Sequence, residues 1–298
     1  MTTVASRAGR SRDTLALIAL TAPALVWYGL FMVVPLLSMF YLSLLQWNSL
    51  VGAPHFTGLG NFSRLLGDPI FWVAVRNTAV HLLATLPIMI PTAFLLGYFL
   101  SRKPAGHRIL SVIFFTPAIV SASARAMMFT GIYQQDGIIN TFLRAVGLGE
   151  FSHAWLADPT TALWTIVAVD LWAGIGFTAV IFAAALSAIP EDIYEAARLD
   201  GARTWTIVWR IAFPMTRQFV GVMLMLQFLW LLLTSAQNVL LLTQGGPGSA
   251  SMTLSYFLYD QAFVSTRVGY SQAIGVVLFA VGLAGTFVIR GIFRRADR

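Results

Sequence analysis

Hydrophobic positions fall into six long runs along the chain, separated by shorter segments that carry most of the charge. The runs cover 15–45, 73–100, 109–133, 161–188, 219–243 and 271–292. About 20 apolar residues, rising about 1.5 Å each, let a helix cross a hydrocarbon core of about 30 Å. The pattern therefore predicts an all-α membrane protein with six transmembrane helices. The first run exceeds one straight crossing, so we expect it to tilt, to kink at Pro23 or Pro35, or to extend beyond the bilayer.

Composition agrees with a chain that resides in a membrane. Of its 298 residues, 58% are hydrophobic and only 10% are charged, and the mean hydropathy is +0.77. An ordinary soluble domain carries about 25% charged residues. Cysteine is absent, which excludes disulfide bonds and thiolate metal sites. The histidines, His55, His81, His107 and His153, are scattered without ligand spacing, and we predict that none binds a metal.

The N-terminal segment has the outline of a signal peptide, because Arg7, Arg10 and Arg12 precede an apolar run. The hydrophobic region of a signal peptide is about 7–15 residues long, and this run is about twice that length. We therefore expect the run to be a retained first span.

Basic residues are concentrated in alternate loops. Fourteen of the 19 lysines and arginines lie before the first run, between runs two and three, between runs four and five, or at the end of the chain. The other side has four, namely Arg64, Arg76, Arg144 and Arg267. Cytoplasmic loops are enriched in Lys and Arg, so we expect both termini in the cytoplasm. Orientation and lipid headgroups then account for the net charge of +7, and no nucleic-acid partner is predicted.

This topology divides the chain into five parts. They are a cytoplasmic tail at 1–14, a first transmembrane helix at 15–45, an external loop at 46–72, a domain of five spans at 73–292 and a cytoplasmic tail at 293–298. The longest cytoplasmic loop, 189–218, lies inside the five-span domain. Its sequence is typical of a short soluble helix rather than of a connecting loop.

The pattern within that loop predicts two helices joined by a glycine. Pro190 suits the first position of a helix, and Glu191 begins an acidic first turn that favours the helix dipole. Gly201 interrupts the pattern, Thr204 suits the N-cap of a second helix, and Pro214 would bend the chain toward the fifth span. Small residues beside acids would let a partner surface approach closely. A helix resting on headgroups is the alternative, but such helices are usually basic on the polar face.

The loop also resembles the "EAA" loop of bacterial ABC-importer permeases. The matching pattern is Glu195-Ala196-Ala197, then Gly201 after three residues, Ile211 after nine more, and Phe213-Pro214, where Phe213 replaces the usual leucine. Four further segments resemble the carbohydrate and glycerol-3-phosphate branch of that family in the same order, at 56–62, 68–78, 136–140 and 241–251. The resemblance thus extends from about 56 to 271.

The resemblance implies a type I ABC-importer permease fold in the cytoplasmic membrane of a bacterium. Glu195, Ala196, Ala197 and Gly201 would couple to an ATPase, with Arg198 and Asp200 as flanking contacts. The expected partners are a second, homologous permease, two ATPase subunits or an equivalent twin-domain protein, and an extracytoplasmic solute-binding protein. The chain has no G-x-x-x-x-G-K-[ST] phosphate loop. No cofactor is therefore expected on it, and ATP and Mg would be used by the partner.

Polar residues inside the runs are candidates for the solute path. They are Arg125, Asp170, Trp172, Gln227, Gln237 and Asn238. Arg125 would cost about 2.5–3.5 kcal/mol at the centre of a span, so it should bind hydroxyls or an anionic group of the solute, or pair with Asp170. Trp172 could instead belong to an interfacial belt. The amides on the fifth span could instead hold helices together.

The function that we expect is translocation of a carbohydrate or a glycerol-phosphate-type solute. Two alternatives stay open at this stage: an intramembrane lipid-modifying enzyme that uses Asp170 and Arg125, or a self-sufficient secondary transporter. The stretch at 243–248 has the composition of a plain turn. By resemblance it borders the region where a solute-binding protein would dock.

The charge distribution makes a testable prediction about topology. Reporter tags at both termini and within 102–108 should lie in the cytoplasm, because basic loops stay on that side. Tags within 46–72 and 134–160 should lie outside, as internal controls. Protease protection or a compartment-specific reporter checks this, and an external location for 102–108 would contradict the six-span topology.

Overall fold

A computed structural model describes residues 18–48 and 52–295. The predicted tail at 1–14 and the last residues, 296–298, lie outside the described residues. In that part of the chain the helices are α1 (Ile18–Ser43), α2 (Gly60–Leu66), α3 (Pro69–Ser101), α4 (His107–Ile119), α5 (Ala122–Tyr133), α6 (Ile138–Ala145), α7 (Ala162–Leu186), α8 (Glu191–Leu199), α9 (Thr204–Leu242), α10 (Leu254–Tyr259) and α11 (Val268–Arg295). Strands β1 (Leu45–Gln46) and β2 (His55–Phe56) form an antiparallel pair.

Five of the described helices, α1, α3, α7, α9 and α11, are long and apolar enough to cross a membrane. The remaining predicted run, 109–133, is not one straight helix. His107–Ile119 and the following segment, Ala122–Ala145, differ in direction by 95°. Val120 is extended between them, and the Ser121 hydroxyl accepts a hydrogen bond from the Ala124 N–H at 3.2 Å, which caps a new helix. The predicted run is therefore bent between Ile119 and Ala122, and the number of spans reaches the predicted six if the two bent parts count as one span.

Helices α3 and α7 pack together at the centre of the bundle. Phe94 meets Phe182 edge to face, with ring centroids 5.5 Å apart, and Ala93, Ala179 and Phe182 are fully buried. Gly97 allows the close approach, because a Cβ placed on it would lie 2.6 Å from Phe182 Cβ. Small residues at such contacts are typical of helix packing in membranes.

The second helix of the cytoplasmic loop continues directly into the fifth span as α9, a single helix of 39 residues. A π-helical turn at Val208–Ala212 precedes Pro214. Proline lacks an N–H and crowds the preceding turn, and the wider turn absorbs that mismatch while the helix continues. The helix therefore continues through Pro214, and this residue does not separate two helices. A similar π turn, Gly29–Val33, precedes Pro35 in α1.

Two predicted helix starts are each displaced by one position. Pro190 occupies the N-cap, so α8 begins at Glu191. Thr204 is the first helical residue of α9, Arg203 holds the N-cap, and no side chain caps that end. The predicted N-cap role of Thr204 is therefore wrong.

The external ends of the helices are tied together by buried amides. Asn77 of α3 places its Nδ2 at 3.2, 3.0 and 3.0 Å from the carbonyl oxygens of Ser249, Ala250 and Met252. Asn61 of α2 donates to the Ser43 carbonyl oxygen at 2.8 Å. The segment after α9 is consequently fixed against α3 and is more than a plain turn.

The packing of α3 on α7 predicts the effect of adding one methyl group. Gly97→Ala should destabilise the protein by about 1–3 kcal/mol, because overpacking forces the helices apart. Gly291→Ala is the matched control, since a Cβ there meets nothing within 4 Å. Thermal inactivation in detergent, followed by size-exclusion chromatography, measures both. A Gly97→Ala protein as stable as Gly291→Ala would contradict the proposed close contact.

Candidate functional site

A cavity of about 410 Å³ lies among the helices, and several of the predicted path residues line it. They are Arg125 of α5, Asp170 of α7, and Gln227, Gln237 and Asn238 of α9. Apolar residues that share the lining include Met89, Phe177, Met223, Leu226 and Trp230. Trp172 does not line this cavity; its ring meets Phe129 edge to face at 5.3 Å. The structure therefore brings together five of the six predicted path residues.

A hydrogen-bonded chain of four side chains crosses one side of the cavity. Arg125 Nη2 donates to Asn238 Oδ1 at 3.2 Å, and Asn238 Nδ2 donates to Asp170 Oδ1 at 2.6 Å. The other oxygen of Asp170, Oδ2, is 2.8 Å from His81 Nε2. Within the described part of the chain no salt bridge joins Arg125 to Asp170. The alternative of a direct ion pair between them is wrong, because Asn238 lies between the two charges and His81 is the partner of the acid.

The two charged residues of this hydrogen-bonded chain, Asp170 and Arg125, differ in how many of their possible hydrogen bonds the protein supplies. Asp170 accepts from two protein donors, and its partner His81 is almost completely buried. Among the described residues, Arg125 makes one of the five hydrogen bonds that a guanidinium can donate, from Nη2, and its Nε is buried without a partner. The cavity therefore offers unused cationic donors to a ligand. Hydroxyl groups and anionic oxygens are the acceptors that such donors suit.

Sequence reasoning missed His81 and Trp230. His81 lies inside an apolar run, where an ionisable residue is a functional candidate by default, but the search for metal-ligand spacing set it aside. Trp230 falls on one helical face with Met223, Gln227 and Thr234, and all four line the cavity. Their spacing of three to four residues was the signal that could have found this face.

Gln227 also holds two helices together. Its Nε2 donates to Thr178 Oγ1 of α7 at 2.7 Å, and both side chains are buried. The interhelical alternative therefore describes Gln227, although the residue also borders the cavity. No hydrogen bond of this kind ties Gln237 to another helix among the described residues.

At the cytoplasmic end, α8 presents most of the predicted coupling residues to solvent. Glu195, Ala196, Arg198, Asp200 and Gly201 are exposed, as the resemblance requires of a docking surface. Ala197 is instead buried against the core of the permease itself. The structure therefore does not support direct contact between the Ala197 side chain and a partner.

The same surface includes an apolar residue that sequence reasoning did not name. Leu199 is 88% exposed at the last position of α8. No apolar neighbour covers it, so it suits insertion into a partner.

The start of α8 is anchored to the end of α3. Arg102 donates to Glu191, and its guanidinium lies 4.3 Å from the ring centroid of the fully buried Tyr194. Arg198 also reaches Glu191, at 3.4 Å. The hydrogen bond from Arg102 lowers the pKa of the Glu191 carboxyl. Because the pKa is lowered in the folded protein, the anchor is fully formed above the ordinary range of a glutamate and is lost only as the pH falls through the lowered value.

Gly201 turns the chain between α8 and α9 with a φ of +78°. Glycine adopts this left-handed conformation without steric cost, as predicted for the hinge. A Cβ on Gly201 would meet nothing within 4 Å. The constraint at this position is therefore the backbone conformation and not the space around it.

The sequence and the fold are also similar to those of known proteins. A family model described as "Binding-protein-dependent transport system inner membrane component" matches residues 6–298. The chain belongs to this family. The permease is 34% identical over 267 residues to the probable ABC transporter permease protein YurN of Bacillus subtilis (strain 168), with 88% of this chain and 90% of that protein covered.

Two further similarities concern proteins with named substrates. The permease is 30% identical over 252 residues to the lactose transport system permease protein LacF of Rhizobium radiobacter, with 81% of each covered. Its fold matches a chain in the crystal structure of a bacterial alginate ABC transporter in complex with an alginate pentasaccharide-bound periplasmic protein. The TM-score is 0.83 at 22% identity, with 97% of this chain and 96% of that chain covered.

Membership settles the choice among the alternative functions. The permease is a multi-pass membrane subunit of an ABC importer with the type I permease fold, as predicted. It is a transport component, and ATP hydrolysis takes place on a separate subunit. The alternatives of an intramembrane enzyme and of a self-sufficient secondary transporter are therefore excluded.

The hydrogen-bonded chain in the cavity predicts that substitutions at its two ends, Arg125 and His81, differ in their effect on stability. Arg125→Gln should fold with near-normal stability, because Asp170 keeps both of its partners. His81→Leu should destabilise the permease by about 3–5 kcal/mol, since it leaves a buried acid without its main partner. Thermal inactivation in detergent compares the two variants. Equal destabilisation would contradict the assignment of His81, rather than Arg125, as the partner of Asp170.

Proposed function

We propose that the permease carries a carbohydrate through the cavity among α5, α7 and α9 by alternating access. The observation that supports the proposal is the hydrogen-bonded chain from Arg125 to His81, of which Arg125, Asn238 and Asp170 line a cavity of about 410 Å³. A cavity with a few placed donors and acceptors and an aromatic wall suits a polar organic solute. The similarity to a lactose transport permease agrees with this solute class.

Arg125 gives a specific reason to keep a glycerol-phosphate-type solute as a second candidate. A guanidinium binds phosphate oxygens in a bidentate manner, and Asn238 takes only one hydrogen bond from the Nη2 of Arg125. A neutral sugar would use the same donors for hydroxyl groups, at a lower energy per bond. Gln237 and Asn238 would complete the polar wall in either case.

The proposed assembly contains a second, homologous permease, two ATPase subunits or an equivalent twin-domain protein, and an extracytoplasmic solute-binding protein. We place it in the cytoplasmic membrane of a bacterium. ATP and Mg would act on the ATPase subunits, with no cofactor on the permease. The region near 243–248, fixed to α3 by Asn77, is the proposed neighbour of the solute-binding protein.

The proposed coupling surface is the exposed side of α8, with Glu195, Ala196, Arg198, Asp200 and Leu199. Force applied to α8 would reach α3 through the contacts of Arg102 with Glu191 and Tyr194. Because α3 packs along α7, the movement would extend to Asp170 in the cavity wall. The permease would in this way connect nucleotide-driven closure of the ATPase to opening of the path.

The sharpest test of coupling is Gly201→Asp. The variant should insert and assemble, because the position is exposed with open space around it. Uptake and solute-stimulated ATP hydrolysis should fall to near background, since an L residue disfavours a positive φ and would reorient α8. Gly106→Asp is the matched control, because Gly106 has a φ of +77° and nothing within 4 Å but lies outside the coupling surface.

The measurement uses the reconstituted complex, with lactose and glycerol 3-phosphate as alternative solutes loaded on the binding protein. Glu195→Ala should give a milder defect, because an exposed ion pair contributes about 0–1 kcal/mol. Wild-type uptake by Gly201→Asp would remove α8 from the coupling mechanism. Stimulation by neither solute would count against the proposed solute classes while leaving the coupling test intact.

A further inference from the structure

A groove of about 640 Å³ lies between the cytoplasmic end of α3 and the start of α9, well away from the solute cavity. Leu95, Tyr98, Phe99 and Arg102 form one wall, and they share a single face of α3 at spacings of three and four residues. The opposite wall comes from α8 and α9. Its residues are Arg198, Ala202, Thr204, Trp205, Ile207 and Val208.

Both walls of the groove change from polar to apolar in the same direction. On α3, Arg102 lies at the cytoplasmic end and Leu95 lies seven residues deeper, which is about 10 Å along a helix. On α9, Thr204 lies at the cytoplasmic end and Val208 lies about one turn deeper. Because α3 runs toward the cytoplasm and α9 runs away from it, the order of apolar and polar residues along α3 is the reverse of the order along α9. The groove is therefore amphipathic along the bilayer normal.

The polar end of the groove is positively charged. Arg102 and Arg198 line it, and no acidic residue does. Both arginines share one carboxylate, that of Glu191, so this cluster of three side chains keeps a net charge of +1. The Arg198 side chain remains 51% exposed and has donors left for an anion.

Two large apolar side chains that line the groove are exposed. Phe99 is 46% exposed and Trp205 is 63% exposed. Tryptophan is enriched at the level of the headgroups, and basic pockets between helices on the cytoplasmic side bind lipid headgroups. An ATPase subunit would contact the exposed side of α8 outside the bilayer, where it could not cover Phe99 or Leu95.

We propose that this groove binds one anionic phospholipid of the cytoplasmic leaflet. Its phosphate would accept hydrogen bonds from Arg102, Arg198 and the Thr204 hydroxyl, and an acyl chain would lie along Leu95 and Phe99. The lipid would thus bridge α3, α8 and α9 at the point where the coupling helix joins the spans. The proposal does not depend on the identity of the solute, but it rests in part on the proposed function, because Arg198 also belongs to the coupling surface proposed above.

Quenching of Trp205 by brominated lipids tests the proposal on the permease within its assembled transporter. Nanodiscs leave both sides of the membrane accessible. One preparation contains phosphatidylcholine with brominated phosphatidylglycerol, and the other contains phosphatidylcholine with brominated phosphatidylcholine. Trp205 is one of nine tryptophans, so its signal is taken as the difference between the wild type and Trp205→Phe. Brominated phosphatidylglycerol should quench this signal severalfold more than the same mole fraction of brominated phosphatidylcholine.

Variants assign the preference to the two arginines. Arg102→Gln and Arg198→Gln should each lower the relative affinity for phosphatidylglycerol about fivefold, the effect of one basic residue near a membrane surface. Arg102→Lys and Arg198→Lys should retain most of it, which separates loss of charge from misfolding. Arg144→Gln is the matched control, because Arg144 is 45% exposed and paired with one acid, Asp136 at 3.3 Å, on the external side.

Several results would overturn the proposal. Equal quenching by the two brominated lipids would exclude an anionic-lipid site. Loss of the preference with inorganic phosphate, at the ionic strength of a chloride control, would identify a site for free anions instead. An unchanged preference in Arg198→Gln, together with loss of ATPase co-purification, would assign this arginine to a protein partner.

Discussion

The contact between α3 and α7 is the constraint on which the rest of the permease depends. It forms because Gly97 has no side chain and lets α3 approach Phe182 and Ala179. The same two helices carry His81 and Asp170, whose side chains are 2.8 Å apart. The pairing of α3 with α7 therefore underlies both the packed core and the polar chain at the cavity.

The permease joins its cytoplasmic surface to its interior through a small number of strong contacts. Glu191 and Tyr194 bind the end of α3 through Arg102, while Gly201 sets the direction in which α9 departs. Each contact joins α8 to a helix that also lines the cavity. A short helix with few buried residues can in this way act on a much larger bundle.

Much of the fold could be predicted because bilayer thickness imposes a length on every span. Hydrophobic runs therefore located the crossings, and five ordered segments identified the family. The break at Val120 and Ser121 was not predictable from hydropathy, because a capped bend inside an apolar run leaves the composition unchanged. The continuity of α9 through Pro214 was also missed, since a proline is usually a terminator and the π turn before it has no clear sequence signal.

Several residues of the candidate site could be predicted from the sequence, but the hydrogen bonds that connect them could not. Polar residues inside apolar runs are few, so Arg125, Asp170 and Asn238 were found individually. The pairing of Asp170 with His81 rather than with Arg125 depends on how the helices are rotated about their axes. Packing among three helices sets that rotation. His81 is the partner of Asp170 because α3 packs against α7 in the folded protein. No pattern within one run contains that information.

The continuity of α9 has a mechanical consequence. Its first turn belongs to the cytoplasmic loop and its later turns carry Gln237 and Asn238, so a movement of the loop would be carried along one continuous helix to the cavity wall. The distance from Thr204 to Gln237 is about 50 Å along the helix, and a tilt of about 5° about one end would displace the other by about 4 Å. The π turn at Val208–Ala212 lies close to the cytoplasmic end, where a local change in helical pitch would change how far the other end moves.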